Sequence, residues 1–236
     1  MTTIGGLSDV LLIVGPKSEQ RTGSLLFYWH TTASSAQGEI SRLVSPEWRE
    51  DLLAKGGIIA ALQSSTMQGG DCSGTAAFSH GDFEVADQIA ACAVRDHGID
   101  PHRIYATGCG AGGFQAGCMA ALRSSYLAAV VTNSGGLVSM LPFQTTHVPP
   151  AMTIHSTSSS LPLIDVAQTS KLLGEHFTKA GGFAIGCSVA SAFCLPGPEL
   201  QNLAWRFMKD HAFGVDPEPY ASGLPAAFSE YCRAFE

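Results

Sequence analysis

The sequence predicts an α/β fold, in which a mostly parallel sheet is covered by helices on both faces. Short, strongly apolar runs alternate along the chain with longer segments whose apolar residues follow the helical period. Of the 236 residues, 45% are hydrophobic and 14% are charged, so the chain can bury one sizeable core. No internal repeat or long linker divides it. We therefore expect one domain over residues 1–236.

Seven apolar runs are predicted to be the strands of this sheet. The run at 58–62, Ile-Ile-Ala-Ala-Leu, is apolar at every position, as expected of a strand that is buried on both faces. Turn residues end several of the runs, such as the Gly15-Pro16 pair after the first. The predicted strands are residues 10–14, 25–30, 58–62, 104–107, 127–132, 152–155 and 183–187.

Five helices are predicted between these strands. Ser45 is a good N-cap for the first of them, with Pro46 at its first position. We expect Asp165 to cap the fourth, which Gly181-Gly182 follows. The helices are predicted at 46–55, 82–97, from about 112 onward, 166–179 and 199–210. The segment 136–150 is too short for a cap domain, so we expect an open and shallow mouth at this side of the molecule.

Residues 100–113, Asp-Pro-His-Arg-Ile-Tyr-Ala-Thr-Gly-Cys-Gly-Ala-Gly-Gly, combine a buried strand, a glycine-rich turn and the start of a helix. A strand, a sharp turn and a helix form the frame of a nucleophile elbow, whose pattern is Gly-x-Ser-x-Gly. Here residues 108–112 supply the glycines of that frame, and Gly110 occupies the place of the serine. Glycine tolerates the positive φ of such a turn, but it has no side chain that could attack a substrate.

The glycines at 108–113 also fit a dinucleotide-binding G-x-G-x-x-G pattern superficially. That loop normally closes the first strand–helix unit and is followed by an acidic residue about 20 positions on. Here four predicted strands come first, and residues 114–134 contain no Asp or Glu. We therefore reject this alternative and expect no cofactor.

Composition argues against several other classes of function. The net charge of −7 disfavours a nucleic-acid surface. No apolar run approaches the roughly 20 residues of a membrane span. None of the seven cysteines forms a Cys-x-x-Cys pair, so the spacing of a zinc site is absent. We expect no metal, no nucleic-acid partner and no membrane span.

Six segments distributed over nearly the whole chain resemble α/β-hydrolases, and more narrowly the polyhydroxybutyrate-depolymerase and feruloyl-esterase-like branch. The segments are residues 27–30, 81–94, 100–113, 132–136, 152–155 and 205–214. The resemblance implies an exported serine esterase that acts on polyesters, short acyl esters or aromatic acid esters. It also implies a small-molecule or polyester-like ligand, and we expect a monomer.

The three catalytic positions that the resemblance implies are all substituted. Gly110 stands for the nucleophile, Phe193 for the histidine base and Ser159 for the acid, in a 156–162 loop without a carboxylate. Asp165 is the nearest acid, and we interpret it as a helix cap. His211, at the end of the last helix, is interpreted as a partner of the helix dipole.

The resemblance also implies the surroundings of this site. Backbone N–H groups of Ala111 and of Thr31 or Thr32 would form the oxyanion hole, with His30 in the turn of that loop. The predicted cleft is lined by Thr31, Thr32, Phe78, Gly110 and Phe193.

The seven cysteines favour two or three disulfides, and so a secreted or periplasmic protein, although no signal peptide is visible at Met1. Buried free thiols are the alternative. We expect Cys187 to pair with Cys194, Cys92 to come close to Cys109, and Cys118 to stay unpaired. Cys109 and Cys194 are also weak candidates for a replacement nucleophile.

The sequence therefore predicts the scaffold of a serine hydrolase whose native ester hydrolysis is disabled or rerouted. Three such replacements indicate either a lineage that lost its catalysis or a deliberately altered chain. The alternative is a non-catalytic protein that binds a small apolar or aromatic ester-like ligand in the vacated cleft.

Overall fold

A computed structural model describes residues 9–32, 34–63, 72, 78, 81–157, 164–228 and 230–236. Eight strands form one sheet in the order β1-β3-β2-β4-β5-β6-β7-β8. The outermost strands, β1 and β8, are antiparallel to their neighbours, and every other pair is parallel. The strands are β1 Asp9–Val14, β2 Gly23–Trp29, β3 Ile58–Gln63, β4 Ile99–Cys109, β5 Ala129–Asn133, β6 Ala151–Ser156, β7 Ala184–Val189 and β8 Cys232–Ala234.

Helices cover both faces of this sheet, which confirms the predicted fold class. The helices are α1 Ala36–Leu43, α2 Pro46–Ala54, α3 Asp82–Asp96, α4 Ala111–Leu122, α5 Val166–Lys179 and α6 Pro198–Asp210. Helices α1, α2 and α6 share one apolar cluster with one face of the sheet, and α3, α4 and α5 share a second cluster with the other face. Successive strand residues alternate between the two clusters, as the pleat requires.

The helix starts follow the predicted local chemistry. Ser45 Oγ accepts a hydrogen bond from Trp48 N at 3.1 Å, with Pro46 at the first position of α2. Asp165 Oδ1 accepts bonds from the N–H groups of Ala167 and Gln168, both at 3.0 Å. Both predicted N-caps are confirmed, because a short polar side chain can satisfy donors that have no partner inside the helix.

Two elements were not predicted, α1 and β8. Helix α1 is only eight residues long, and β8 is a three-residue strand in a tail rich in proline and glycine. A disulfide between Cys187 of β7 and Cys232 fixes β8 at the sheet edge. Elements this short depend on tertiary contacts more than on a periodic pattern.

Residues 134–150, between β5 and β6, contain no helix or strand, so no cap domain is inserted there. Strands β2, β4, β5 and β6 are neighbours in the sheet and run in the same direction. The loops that follow them therefore meet at one edge, which we call the carboxyl edge. No helix in the described part of the chain is long and apolar enough to cross a membrane.

The structure has three disulfides, and it corrects their predicted pairing. Cys187 bonds to Cys232 rather than to Cys194, and Cys194 bonds to Cys109. Cys118 was predicted to be unpaired, but it bonds to Cys72, and the free cysteine is the exposed Cys92.

Face and strand order explain the wrong pairings. Cys109 points into the cluster of α1, α2 and α6, whereas Cys92 lies on α3, on the opposite face of the sheet. The loop after β7 carries Cys194 back across the carboxyl edge to the end of β4. Closeness along the chain was therefore a poor guide to closeness in space.

Candidate functional site

Gly110 forms the apex of a sharp turn between β4 and α4. Its backbone has φ +56° and ψ −121°, a conformation in which a residue with a side chain would be strained. Gly110 N donates to Asn133 O at 2.9 Å, and Gly110 O accepts from Phe114 N at 3.0 Å. The turn is thus held on one side by β5 and on the other by the first turn of the helix, as in the predicted elbow frame.

Phe193 and Thr31 lie against this apex. A Cβ atom built on Gly110 would lie 2.5 Å from Thr31 Oγ1 and 3.1 Å from Phe193 Cζ. Cβ atoms rarely have neighbours this near, so the two side chains occupy the space next to the missing side chain. The structure therefore brings together Gly110 and Phe193, the residues at the predicted nucleophile and base positions.

The loop that carries Phe193 is fastened to the elbow. The Cys109–Cys194 disulfide joins the residue before Gly110 to the residue after Phe193. Cys194 N also donates to Ser134 Oγ at 3.4 Å. Cys194 and Ser134 both have positive φ, of 59° and 48°, which is uncommon for residues other than glycine. Covalent and hydrogen-bond contacts thus hold the aromatic ring over the glycine.

The loop predicted to hold the acid follows β6. Ser159, with the rest of 158–163, lies outside the described residues. Strand β6 ends at Ser156 beside β5 and β7, so this loop starts from the carboxyl edge. Asp165 follows it and serves as the cap of α5. The assignment of an acid position near Ser159 stays a prediction.

The predicted oxyanion loop follows β2. Thr31 N donates to Glu39 Oε1 at 3.0 Å, so this N–H group is already used. Hydrogen-bond partners of the Thr32 and Ala111 N–H groups are absent from the described residues, which leaves these two as candidate donors toward a ligand.

His30 and Phe78 form the base of this loop. His30 is 2% exposed, and its Nδ1 lies 2.8 Å from Thr31 O, which can only accept, so Nδ1 is the donor. Phe78 is fully buried and packs edge-on against Trp29, with 5.1 Å between ring centroids. Both side chains are buried beneath the loop and do not face solvent.

Glu39 is the residue of this site that the sequence analysis missed. It is fully buried on α1 and accepts bonds from Thr31 N and, at 3.2 Å, from the hydroxyl of Tyr28. Burial, followed by the charge of Glu39, raises the pKa of Tyr28 well above its usual value. One face of α1 is buried, and it contains a carboxylate among apolar side chains: Ala36, Glu39, Ile40 and Leu43. This helical spacing in the sequence could have revealed both α1 and its buried carboxylate.

Several histidines elsewhere have structural partners. His211 is fully buried at the end of α6, with Nδ1 2.6 Å from Phe207 O and Nε2 2.8 Å from Glu218 Oε1. It contacts a carbonyl of the last turn, as the helix-dipole interpretation expects. His155 is the next-to-last residue of β6; its Nδ1 has no hydrogen-bond partner among the described residues, and burial lowers its pKa. Within the described ranges, no hydrogen bond joins a serine, threonine or cysteine side chain to a histidine ring.

The cysteine alternatives fail in this structure. Cys109 and Cys194 are bonded to each other, so neither offers a thiolate. The described side chains also contain no group of three His, Cys, Asp or Glu residues that could hold a metal ion.

No known family model and no curated protein sequence matches the chain. Solved structures do match. Native pOPH superposes with a TM-score of 0.72 at 16% identity, over 94% of this chain and 89% of that chain. Esterase PE8 gives a TM-score of 0.62 at 17% identity, over 87% of this chain and 98% of that chain. Propionate-bound Est2, a thermophilic esterase from Thermogutta terrifontis, gives 0.58 at 16% identity, over 85% and 86% of the two chains.

These similarities cover most of both chains, and at identities this low they show a shared fold only. This chain supplies the eight-stranded, mostly parallel sheet and the helices on both of its faces. The chain has the α/β-hydrolase fold.

Proposed function

We propose that this protein keeps the ester-binding framework of a serine hydrolase but does not hydrolyse esters through a serine triad. The observation that carries the proposal is the pair of residues at the turn. Gly110 stands at the apex with no side chain, and the Phe193 ring lies 3.1 Å from the point where a Cβ would be. A hydroxyl nucleophile needs an adjacent base, and neither group is present at these positions.

The remaining parts of the site support the same proposal. The backbone N–H groups of Ala111 and Thr32, which would form the oxyanion hole, do not depend on which side chains stand at positions 110 and 193. Removing the nucleophile or the base from a triad costs about 10⁶ in rate, because the residues act as a unit. The three disulfides favour an extracellular or periplasmic location, and we propose a monomer.

The decisive experiment restores the side chains. The native chain is expected to give no turnover of p-nitrophenyl butyrate above buffer. The triple variant Gly110→Ser, Phe193→His, Ser159→Asp should hydrolyse it at least about 10³-fold faster than the native chain. Replacing phenylalanine with histidine also removes the contact with Phe193 Cζ that a side chain at 110 would meet, and the Thr31 side chain must turn to make the remaining room.

A matched control separates the chemistry from the change of shape. Gly110→Ala, Phe193→His, Ser159→Asp fills the same space without a hydroxyl, and we expect it to remain inactive. Turnover by the native chain that a fluorophosphonate abolishes would contradict the proposal, because it would reveal a catalytic serine elsewhere.

Ligand binding without turnover is the second candidate. The Ala111 and Thr32 N–H groups could hold a carbonyl oxygen, and the partly exposed Phe193 ring could pack against an aromatic group. A rise in melting temperature with ethyl ferulate that Phe193→Ala removes would support this function. No rise in the native chain would exclude it for aromatic esters.

A further inference from the structure

A cavity of about 330 Å³ opens at the other end of the sheet, where β2 and β4 begin. We call this end the amino edge. The cavity lies between the start of these strands and the ends of α2 and α6, far along the strands from Gly110. Four of the chain's 13 lysines and arginines line it: Arg21, Lys55, Arg103 and Lys209.

Carboxylates position three of these cations. Asp51 Oδ1 lies 2.7 Å from Lys55 Nζ, and Asp51 Oδ2 lies 2.8 Å from Lys209 Nζ. Asp100 Oδ2 lies 3.4 Å from Arg103 Nε. Arg21 has no ion pair or hydrogen bond with any described residue. Four cations against two carboxylates leave two positive charges at this cavity, in a chain whose net charge is −7.

Two of the nine residues that line the cavity are apolar and form part of its inner wall. Leu52 and Trp205 line it and are 1% and 4% exposed. Lys209 Nζ lies 5.5 Å from the centre of the Trp205 ring, so this cation is held over an aromatic face. Small-molecule sites combine such apolar walls with a few charged groups, in volumes of roughly 300–1,000 Å³.

A buried polar group stands behind this wall. The Tyr105 hydroxyl is buried and has no hydrogen-bond partner of good geometry among the described residues. Arg103 acts on this phenol and partly offsets the rise in the Tyr105 pKa that burial causes. Arg103 therefore lines the open cavity and also acts on a buried hydroxyl.

We propose that the amino-edge cavity binds a small phosphate monoester. Its phosphate group would bind Arg103 and Arg21 and would match the two excess positive charges, since such a group carries nearly two negative charges at pH 7. Its organic part would lie against Leu52 and Trp205. This site shares no residue with the carboxyl edge and does not depend on the function proposed there.

Isothermal titration of the full chain with phenyl phosphate at low salt tests the proposal. We expect saturable binding that is at least about tenfold tighter than that of inorganic phosphate or benzoate. Inorganic phosphate lacks the aromatic ring, and benzoate lacks the phosphate group. Equal binding of phenyl phosphate and inorganic phosphate would overturn the role of the apolar wall. No saturable binding of phenyl phosphate would overturn the site.

Two variants and a control locate the binding. Arg103→Gln and Arg21→Gln should each weaken phenyl phosphate binding about tenfold. Lys171→Gln removes an exposed cation of α5 that pairs with Glu175 at 3.6 Å, and it should change nothing. Melting temperatures without ligand show whether each variant folds. Arg21 is exposed and unpaired among described residues, so Arg21→Gln remains informative if Arg103→Gln is unstable. Equal affinity in Arg21→Gln and Lys171→Gln would contradict the proposal.

Discussion

The two edges of the sheet differ in what provides their chemistry. At the carboxyl edge the turn at Gly110 is built by backbone bonds to Asn133 and Phe114, and the residue facing it is an uncharged ring. At the amino edge the chemistry comes from side chains, because four cationic side chains line a cavity there. A fold can thus keep the framework of a reactive site while side chains decide whether any reaction occurs there. The same fold can also bring several cationic side chains together at an edge that has no sharp backbone turn.

The largest effect on stability should come from the carboxyl edge. Replacing Cys109 and Cys194 with serine removes a crosslink between residues 85 apart, and we expect a loss of about 2–4 kcal/mol in the free energy of unfolding. The matched variant at Cys72 and Cys118, 46 residues apart, should lose about 0.5 kcal/mol less, because the smaller loop restrains the unfolded chain less. Denaturant unfolding of both oxidised variants measures the difference. A smaller loss at Cys109–Cys194 than at Cys72–Cys118 would show that the carboxyl edge is not held by its crosslink.

A second effect concerns the buried carboxylate beneath the same edge. Glu39→Leu leaves the Thr31 N–H and the Tyr28 hydroxyl without their acceptor, which should cost about 2 kcal/mol. Glu39→Gln keeps an acceptor for Thr31 and places a donor beside the Tyr28 oxygen, so it should cost less than about 1 kcal/mol. Chemical denaturation of the two variants tests the difference. Equal losses would mean that the charge, rather than the hydrogen bonds, holds the loop.

The smallest effect is expected at the amino edge. Burial would raise the pKa of Asp51, but hydrogen bonds from Lys209, Lys55 and Trp205 outweigh it and lower the pKa well below its usual value. A lowered carboxyl pKa stabilises the fold above the unfolded value of about 3.9, and this stabilisation is lost as the pH falls toward the folded value. Asp51→Asn should therefore cost about 1 kcal/mol at neutral pH, with a difference that shrinks below about pH 4.

Unfolding free energies of the native chain and Asp51→Asn across this range provide the measurement. A difference that stays constant down to acid pH would mean that Asp51 does not titrate within the network. It would also remove the argument that carboxylates position the cations of the cavity.

The sequence by itself determined the alternation of strands and helices, the caps at Ser45 and Asp165, and the glycine turn at residue 110. These features depend on neighbouring residues, because periodicity, caps and backbone freedom act within a few positions of the chain. Only the tertiary structure decided which cysteines pair, that Glu39 is buried beneath Thr31, and that Arg21 and Lys209 share a cavity. Each of these depends on residues far apart in sequence, which come into contact only when the sheet order and the face of each strand are fixed.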